Sequence, residues 1–426
     1  MTHRVALLAQ NPGLPFVFEA AGRVGAVLTL VVLPGVRIPD GLPNVESAVE
    51  LDLFGDPDGT RAWLERQHAS WPFDAVVTLF DAAGPFTAVT AARLGLRGVR
   101  PEAARICRDK YRQREAMREA GLDVPGYRLI DPVADLGRQV ADLRFPLVVK
   151  PVSGWASFGV TRADNLVDLK AAVDLVQDIN SEQLAPLAAG SETGRAAVLV
   201  EEFVDGPEYC VEAISDARRT TVLAITDKGN LRGPYFEERT FITPAPLAPG
   251  IAARITDAVL VSHRQIGIDF GASHTELRLR ADGTPVLLEI GARMGGSGTV
   301  HYLVETATGI DFLGAVLHQA IHGELGELRP AHRCFAGDWI MPVIGSGVYA
   351  GLAGADEVRR HEATRMLLEL MRPGTAVPAW PRWIGYPAFV LSAHASYEDC
   401  KAYHAWLEDT MKIAWTGTAG PAGTSA

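Results

Sequence analysis

At 426 residues the chain is too long for one ordinary hydrophobic core and should divide into roughly two to four domains. Its 48% apolar and 21% charged content is that of a folded globular protein, and a net charge of −11 argues against nonspecific nucleic-acid binding. No apolar run approaches the roughly 18 residues of a membrane span, no secretory leader is legible, and Cys107, Cys210, Cys334 and Cys400 are too scattered for a zinc or disulfide framework.

A cytoplasmic protein with buried, reduced thiols is therefore expected. The first third alternates apolar runs at 5–9, 26–33 and 75–79 with helix-like stretches such as 87–94. Runs apolar on both faces predict buried parallel strands, so residues 1–105 read as a small α/β domain. In the next segment Asp109 is a suitable N-cap, Ala116, Met117 and Ala120 recur at helical spacing, and Gly121 terminates the helix. Strands are predicted at 147–151 and 198–204, with a helix near 166–176 and a surface loop over 181–195. A helix after Pro249 precedes a hairpin, and a further α/β lobe ends in a helix over 397–411. The Gly-, Ala- and Thr-rich tail 417–426 is expected to be disordered.

The hairpin carries the strongest physical clue. Asp282-Gly283 favours a two-residue turn, which places Arg280 opposite Pro285, Arg278 opposite Leu287 and Glu276 opposite Glu289. Alternation then puts Leu277, Leu279, Val286, Leu288 and Ile290 on one apolar face, and Glu276, Arg278, Arg280 and Glu289 on the other. Two carboxylates about 5 Å apart repel by roughly 3 kcal/mol at an effective dielectric near 20, which a cation relieves. An all-oxygen pair suits magnesium shared with nucleotide phosphates. The alternative is a pair neutralised by Arg278 and Arg280.

Lys150 ends an apolar strand and is followed by Ser153, Gly154, Ser157 and Gly159, whose small size lets backbone approach phosphates. Gly154 and Gly159 have Walker spacing, but Val160-Thr161 stands where Lys-Ser/Thr is required, which excludes a P-loop. No Gly-x-Gly-x-x-Gly follows a strand, so a Rossmann site has no support. Around Glu201, Phe203, Val204 and Glu208, backbone groups could read an adenine edge and a carboxylate could accept from ribose hydroxyls. The plainer alternatives are a structural lysine beside a turn and a strand with solvated acids.

In this order the segments Asp109-Lys110, Val149-Lys150-Pro151, 153–160, 200–208, Glu276 and 289–293 resemble the ATP-grasp superfamily over about 105–324. Gly271-Ala-Ser-His-Thr-Glu276 with Leu288-Glu-Ile-Gly-Ala-Arg293 is similar to the bacterial L-amino-acid ligases that make dipeptides. The resemblance implies a mixed α/β and α+β architecture: an N-terminal parallel-sheet domain, a core over 106–324 with a lid at about 125–204, and a lobe over 325–416 completing the larger body. It implies that Lys110 and Lys150 contact ATP phosphates beneath a flap containing Ser153, Gly154, Ser157 and Gly159. Glu201, Phe203, Val204 and Glu208 would hold adenosine, and Glu276 and Glu289 would bind magnesium, or manganese in its place. Arg293 would steady the acyl phosphate and the tetrahedral intermediate, completing a catalytic set with Glu276 and Glu289.

The implied reaction joins a small-molecule carboxylate to an amine, both expected to be amino acids, and releases ADP and phosphate. No nucleic acid or membrane partner is implied, and a homodimer is compatible. Two positions depart from the pattern. Gly291 stands where many members carry a third metal-ligating Asn, and Thr240-Phe241 stands where dipeptide ligases often have Gly-His. The alternatives are an ATP-grasp carboxylase or ribonucleotide-pathway ligase, and a non-catalytic ATP-binding regulatory module.

Overall fold

The computed structural model describes residues 2–131, 134–184, 187, 197–296, 299–379, 382–383 and 385–417. The expected tail therefore lies outside the described residues apart from Gly417, as does most of the 181–195 loop. The chain opens with a parallel sheet of β1 (His3–Leu8), β2 (Ala26–Val32), β3 (Val45–Glu50) and β4 (Ala75–Thr78), in the order β3-β2-β1-β4. Val5, Ala6, Leu7 and Leu8 are all fully buried, which is why this run lacks polar alternation. Val5 and Leu7 pack under the helices Phe16–Arg23 and Phe312–His322, while Ala6 and Leu8 meet Leu64 and Phe86 on the other face. The edge strand β3 is largely exposed and carries no such signal.

The helix Lys110–Glu119 starts where expected: the Asp109 side chain accepts the Arg112 N–H at 3.0 Å, and Gly121 adopts φ 74° beyond its end. It leads to an antiparallel sheet of β5 (Tyr127–Ile130), β6 (Leu147–Pro151), β7 (Thr161–Ala163) and β8 (Val198–Glu202), ordered β5-β8-β6-β7. The helix Leu166–Ile179 covers one face, burying Leu169, Val173 and Val176 against Val149 and Val200.

The largest sheet contains β9 (Glu208–Ser215), β10 (Thr220–Gly229), β11 (Thr240–Thr243), β12 (Gly271–Leu279), β13 (Pro285–Gly291), β14 (Phe335–Ile340), β16 (Thr364–Glu369) and β18 (Ala388–His394). Its order is β13-β12-β9-β10-β11-β14-β18-β16, so strands from both sides of residue 324 share it. β15 (Gly347–Ala353), β17 (Ala376–Val377) and β19 (Lys412–Thr416) form a small separate sheet. Among the described residues, no helix is long and apolar enough to cross a membrane.

The β12–β13 hairpin corrects the predicted register in two compensating places. Arg280 donates its N–H to the Thr284 carbonyl, and Gly283 N–H closes on the Arg280 carbonyl, so the loop has three residues instead of two. Gly283, at φ 79°, fills the left-handed position such a loop requires. The pairing then runs Arg278 to Val286 and Leu277 to Leu287, one residue from expectation. A bulge at Leu288 restores the count, and Glu276 faces Glu289 as predicted. The same bulge moves Leu288 from the expected apolar face to the wall of the site cavity.

Candidate active site

A cavity of about 690 Å³ lies between the β5-β8-β6-β7 sheet and the β9, β12 and β13 edge of the large sheet. Ten predicted residues line it: Lys110, Lys150, Gly154, Ser157, Glu201, Phe203, Val204, Glu208, Glu276 and Glu289. Three do not. Ser153 turns its carbonyl to Arg108, Gly159 packs on the Pro151 ring at φ 77°, and Arg293 borders a neighbouring apolar cavity of about 660 Å³.

Strand register builds the floor of the site. β9 and β12 pair so that Glu208 faces Arg278, Cys210 faces Glu276 and Glu212 faces His274. Arg278 Nε donates to Glu208 at 3.0 Å, and His274 bridges Glu212 and Glu276 through its two ring nitrogens. Lys228, the extra residue of a β10 bulge, brings its ammonium to within 2.9 Å of Glu208, 3.0 Å of Glu238 and 2.6 Å of Glu276. Burial alone would raise the Glu276 pKa, but Lys228 and His274 outweigh it and hold this carboxylate well below the usual range. Burial opposes a charge on His274, yet Glu212 and Glu276 raise its pKa to about 9.

Glu289 pairs with Lys110 at 2.9 Å, so the two facing carboxylates meet different lysines, although Lys228 is shared by Glu276 with Glu208 and Glu238. The proposed neutralisation by Arg278 and Arg280 is overturned: Arg278 serves Glu208, and Arg280 binds Asp123 at 2.9 Å. The Glu276/Glu289 pair offers hard oxygen donors beside two lysines, a donor set that fits magnesium. Cys210, Glu212 and His274 also cluster, but the Glu212 carboxylate is taken up by His274 and the Gly295 N–H, and burial holds the Cys210 thiol protonated.

On the opposite wall Lys150 and Arg114 both ion-pair with the buried Glu201, Arg114 at 2.5 Å. Glu201 accepts from Arg114 through one oxygen and leaves the other, Oε1, buried without a hydrogen-bond partner among the described residues, while Phe203 stacks on Phe236 at 6.1 Å with the Arg278 guanidinium 5.0 Å from its centroid. Arg293 donates Nε to Asp81 at 3.0 Å and NH1 to the Met294 carbonyl at 2.7 Å. Burial would raise the Asp81 pKa, but Arg108, Arg293 and Lys110 together lower it. A Cβ on Gly291 would approach Asp81 Oδ1 to 3.3 Å, so the position of the missing Asn adjoins this ion-pair cluster. The other departure, Phe241, is buried in an apolar cluster beside Leu303 and Phe389.

Sequence reasoning missed Lys228, Glu212, Asp81, Arg108 and Arg114. The alternation Glu208-x-Cys210-x-Glu212 opposite His274-x-Glu276-x-Arg278 was a usable signal for Glu212. Lys228 depends on a bulge, and Asp81 and Arg108 meet across 27 residues, so neither has a local signature.

The lysines, the facing glutamates and two sheets enclosing one cavity are the arrangement of an ATP-grasp fold, and the family profiles match it. An ATP-grasp domain profile matches residues 143–301, and an ATP-grasp N-terminal domain profile matches 18–98. The chain belongs to the ATP-grasp family. Over 98% of its length and 99% of the other chain, it is similar to the crystal structure of an L-amino acid ligase from Bacillus licheniformis, with 37% identity and a TM-score of 0.89. It is 27% identical to alanine–anticapsin ligase of Bacillus subtilis (strain 168) over 60% of this chain and 55% of that protein. It is also 27% identical to D-alanine–D-alanine ligase of Ralstonia nicotianae over 56% of this chain and 68% of that one. The matched region spans about half the length of the first curated relatives, 49% and 55%.

Proposed function

We propose that this chain is a cytoplasmic, ATP-dependent carboxylate–amine ligase that forms an amide or dipeptide bond from an amino acid and releases ADP and phosphate. The observation carrying this reading is that Lys110, Lys150, Glu276 and Glu289 share one cavity with Phe203, Val204 and Glu208. The end-to-end likeness to an L-amino acid ligase supports it. The proposed organisation is an N-terminal domain over 1–105, a core over 106–324 with its lid at about 125–204, and a completing lobe over 325–416.

In this reading Phe203, Val204 and Glu208 hold adenosine, and Lys110 and Lys150 lie along the phosphates. Glu276 and Glu289 hold magnesium, with manganese as a substitute; when bound, the ion supplies positive charge beside the phosphates. The acid's carboxylate oxygen attacks the γ-phosphorus, the bond to the ADP oxygen breaks, and an acyl phosphate forms. The amine nitrogen then attacks the acyl carbon, loses a proton, and expels phosphate. Arg293, whose guanidinium is held by Asp81 and the Met294 carbonyl beside that cavity, stabilises the negative oxygens that develop in both steps.

The test is a pairwise panel of amino acids scored for ADP, phosphate and product mass. ADP and phosphate are expected in step with an amide; AMP and pyrophosphate as stoichiometric products would overturn the mechanism. Hydroxylamine should trap a hydroxamate when the acid is present without its amine, and Arg293→Ala should cut that yield by roughly 100-fold. Glu276→Gln and Glu289→Gln should abolish turnover while remaining folded.

A further inference from the structure

Arg108 lies outside the cavity wall yet touches both the flap and the acid that holds Arg293. It is 6% exposed and was selected by no sequence motif. Its NH2 donates to the Ser153 carbonyl at 2.6 Å, and its guanidinium lies 5.6 Å from the centroid of the Trp155 ring. Trp155 also packs edge-on against Phe80, at 5.7 Å and 85°. The remaining NH1 forms a buried ion pair with Asp81, whose other oxygen accepts Arg293 Nε at 3.0 Å. The flap backbone is constrained here: Ala156 and Ser157 hold φ 52° and 53°, conformations that non-glycine residues adopt only when surrounding contacts impose them.

These contacts form one continuous chain from Ser153 and Trp155 through Arg108 and Asp81 to Arg293. A second cation, Lys110, ties the adjacent Gly154 carbonyl at 2.6 Å to Glu289, but it lines the cavity and meets nucleotide directly in the reading above. Arg108 has no such contact with the cavity. If the flap lifts, Arg108 loses the Ser153 carbonyl and the Trp155 face together, and Asp81 is no longer shared between two fixed guanidiniums. Lysine is a poor replacement, because its compact ammonium lacks the planar fork that reaches Asp81, the Ser153 carbonyl and the Trp155 face from one fixed guanidinium.

We propose that Arg108 is a positioning residue that couples closure of the Ser153–Gly159 flap over the nucleotide to the seating of Arg293 at the reacting carboxyl. The coupling places Arg293 only when the flap is down, so the reactive phosphate is attacked in a site from which water has been excluded. This inference rests on the ligase reading for the role of Arg293, and its structural half can be measured without turnover.

Hydrogen exchange should show that ATP with magnesium protects 153–160 and, with it, 292–296 in the wild-type protein. In Arg108→Lys the protection of 153–160 should weaken and that of 292–296 should be lost. Kinetically, Arg108→Lys should lower kcat by about tenfold or more while the KM for ATP changes less than about threefold, the signature of lost positioning rather than lost binding. In an Arg293→Ala background the same substitution should cost less than about twofold, because Arg108 acts through Arg293. Trp155→Phe, which keeps an aromatic face, should retain most of the coupling and serves if Arg108→Lys does not fold. Undiminished nucleotide-linked protection of 292–296 in Arg108→Lys, or additive losses in the double-variant cycle, would overturn the proposal. A wild-type protein that shows the linked protection but makes no amide would instead count against the ligase reading alone.

Discussion

Lys150 ends a buried strand with its ammonium on Glu201, and burial pushes its pKa down to about 8 against the pull of that carboxylate. In the proposed role, phosphates favour its charged form, so binding should draw in a proton near that pH, and ATP affinity should fall as pH rises from about 7 to 9.5. Lys150→Arg should flatten this alkaline limb, because a guanidinium stays charged throughout. At neutral pH Lys150→Ala should weaken ATP binding by roughly tenfold, about 1.4 kcal/mol. Calorimetric titration across the pH range measures both effects, and an identical alkaline limb in Lys150→Arg would remove Lys150 as its source.

At the scale of elements, a buried acid sits in the middle of β14. Asp338 is 1% exposed; one of its carboxylate oxygens accepts from the Thr299 hydroxyl at 2.5 Å, and among the described residues the other has no hydrogen-bond partner. Burial, partly offset by that hydrogen bond, pushes its pKa up to about 7 from 3.8. A raised carboxyl pKa makes its stabilising contribution complete below the unfolded value, near pH 4, and lost as pH rises through about 7. The neutral variant Asp338→Asn should therefore gain on the wild type between about pH 4 and 8, by at most about 1.4 kcal/mol per pH unit within that window. Thermal melts of the two proteins in parallel test this, and a pH-independent difference would mean Asp338 stays charged in the fold. The β12–β13 hairpin at the edge of the same sheet shows how elements tolerate error: a loop one residue longer than the turn signal and a bulge at Leu288 cancel, leaving Glu276 opposite Glu289.

At the scale of the molecule, the helix Phe312–His322 packs the N-terminal sheet against the large sheet. Phe312, fully buried, packs in one cluster with Val5 and Leu28 of the N-terminal sheet, with Ile214 of the large one and with Met294 just beyond β13. Arg23 adds a bidentate pair to Asp311 at 2.8 Å. Phe312→Ala should cost about 3–5 kcal/mol, and β1 and β9 should lose protection together in denaturant, as expected where two regions share a core. Loss of β1 protection well before β9 would show that they open independently. Buried strands such as β1 and β6 and the Asp109 cap were legible because burial on both faces and cap chemistry act over a few residues, whereas the facing glutamates came out right only because the longer loop and the bulge cancel. The edge strand β3 was not legible, since its exposed residues carry no apolar run. Local sequence by itself thus determined the buried strands, the capped helix and ten of the residues that line the cavity. Only the tertiary structure decided that Lys228 would reach Glu276 from a third strand and that Arg108 and Arg293 would share Asp81. Those contacts arise from sheet order and domain packing, which pair residues 27 to 212 positions apart and leave no periodic trace along the chain.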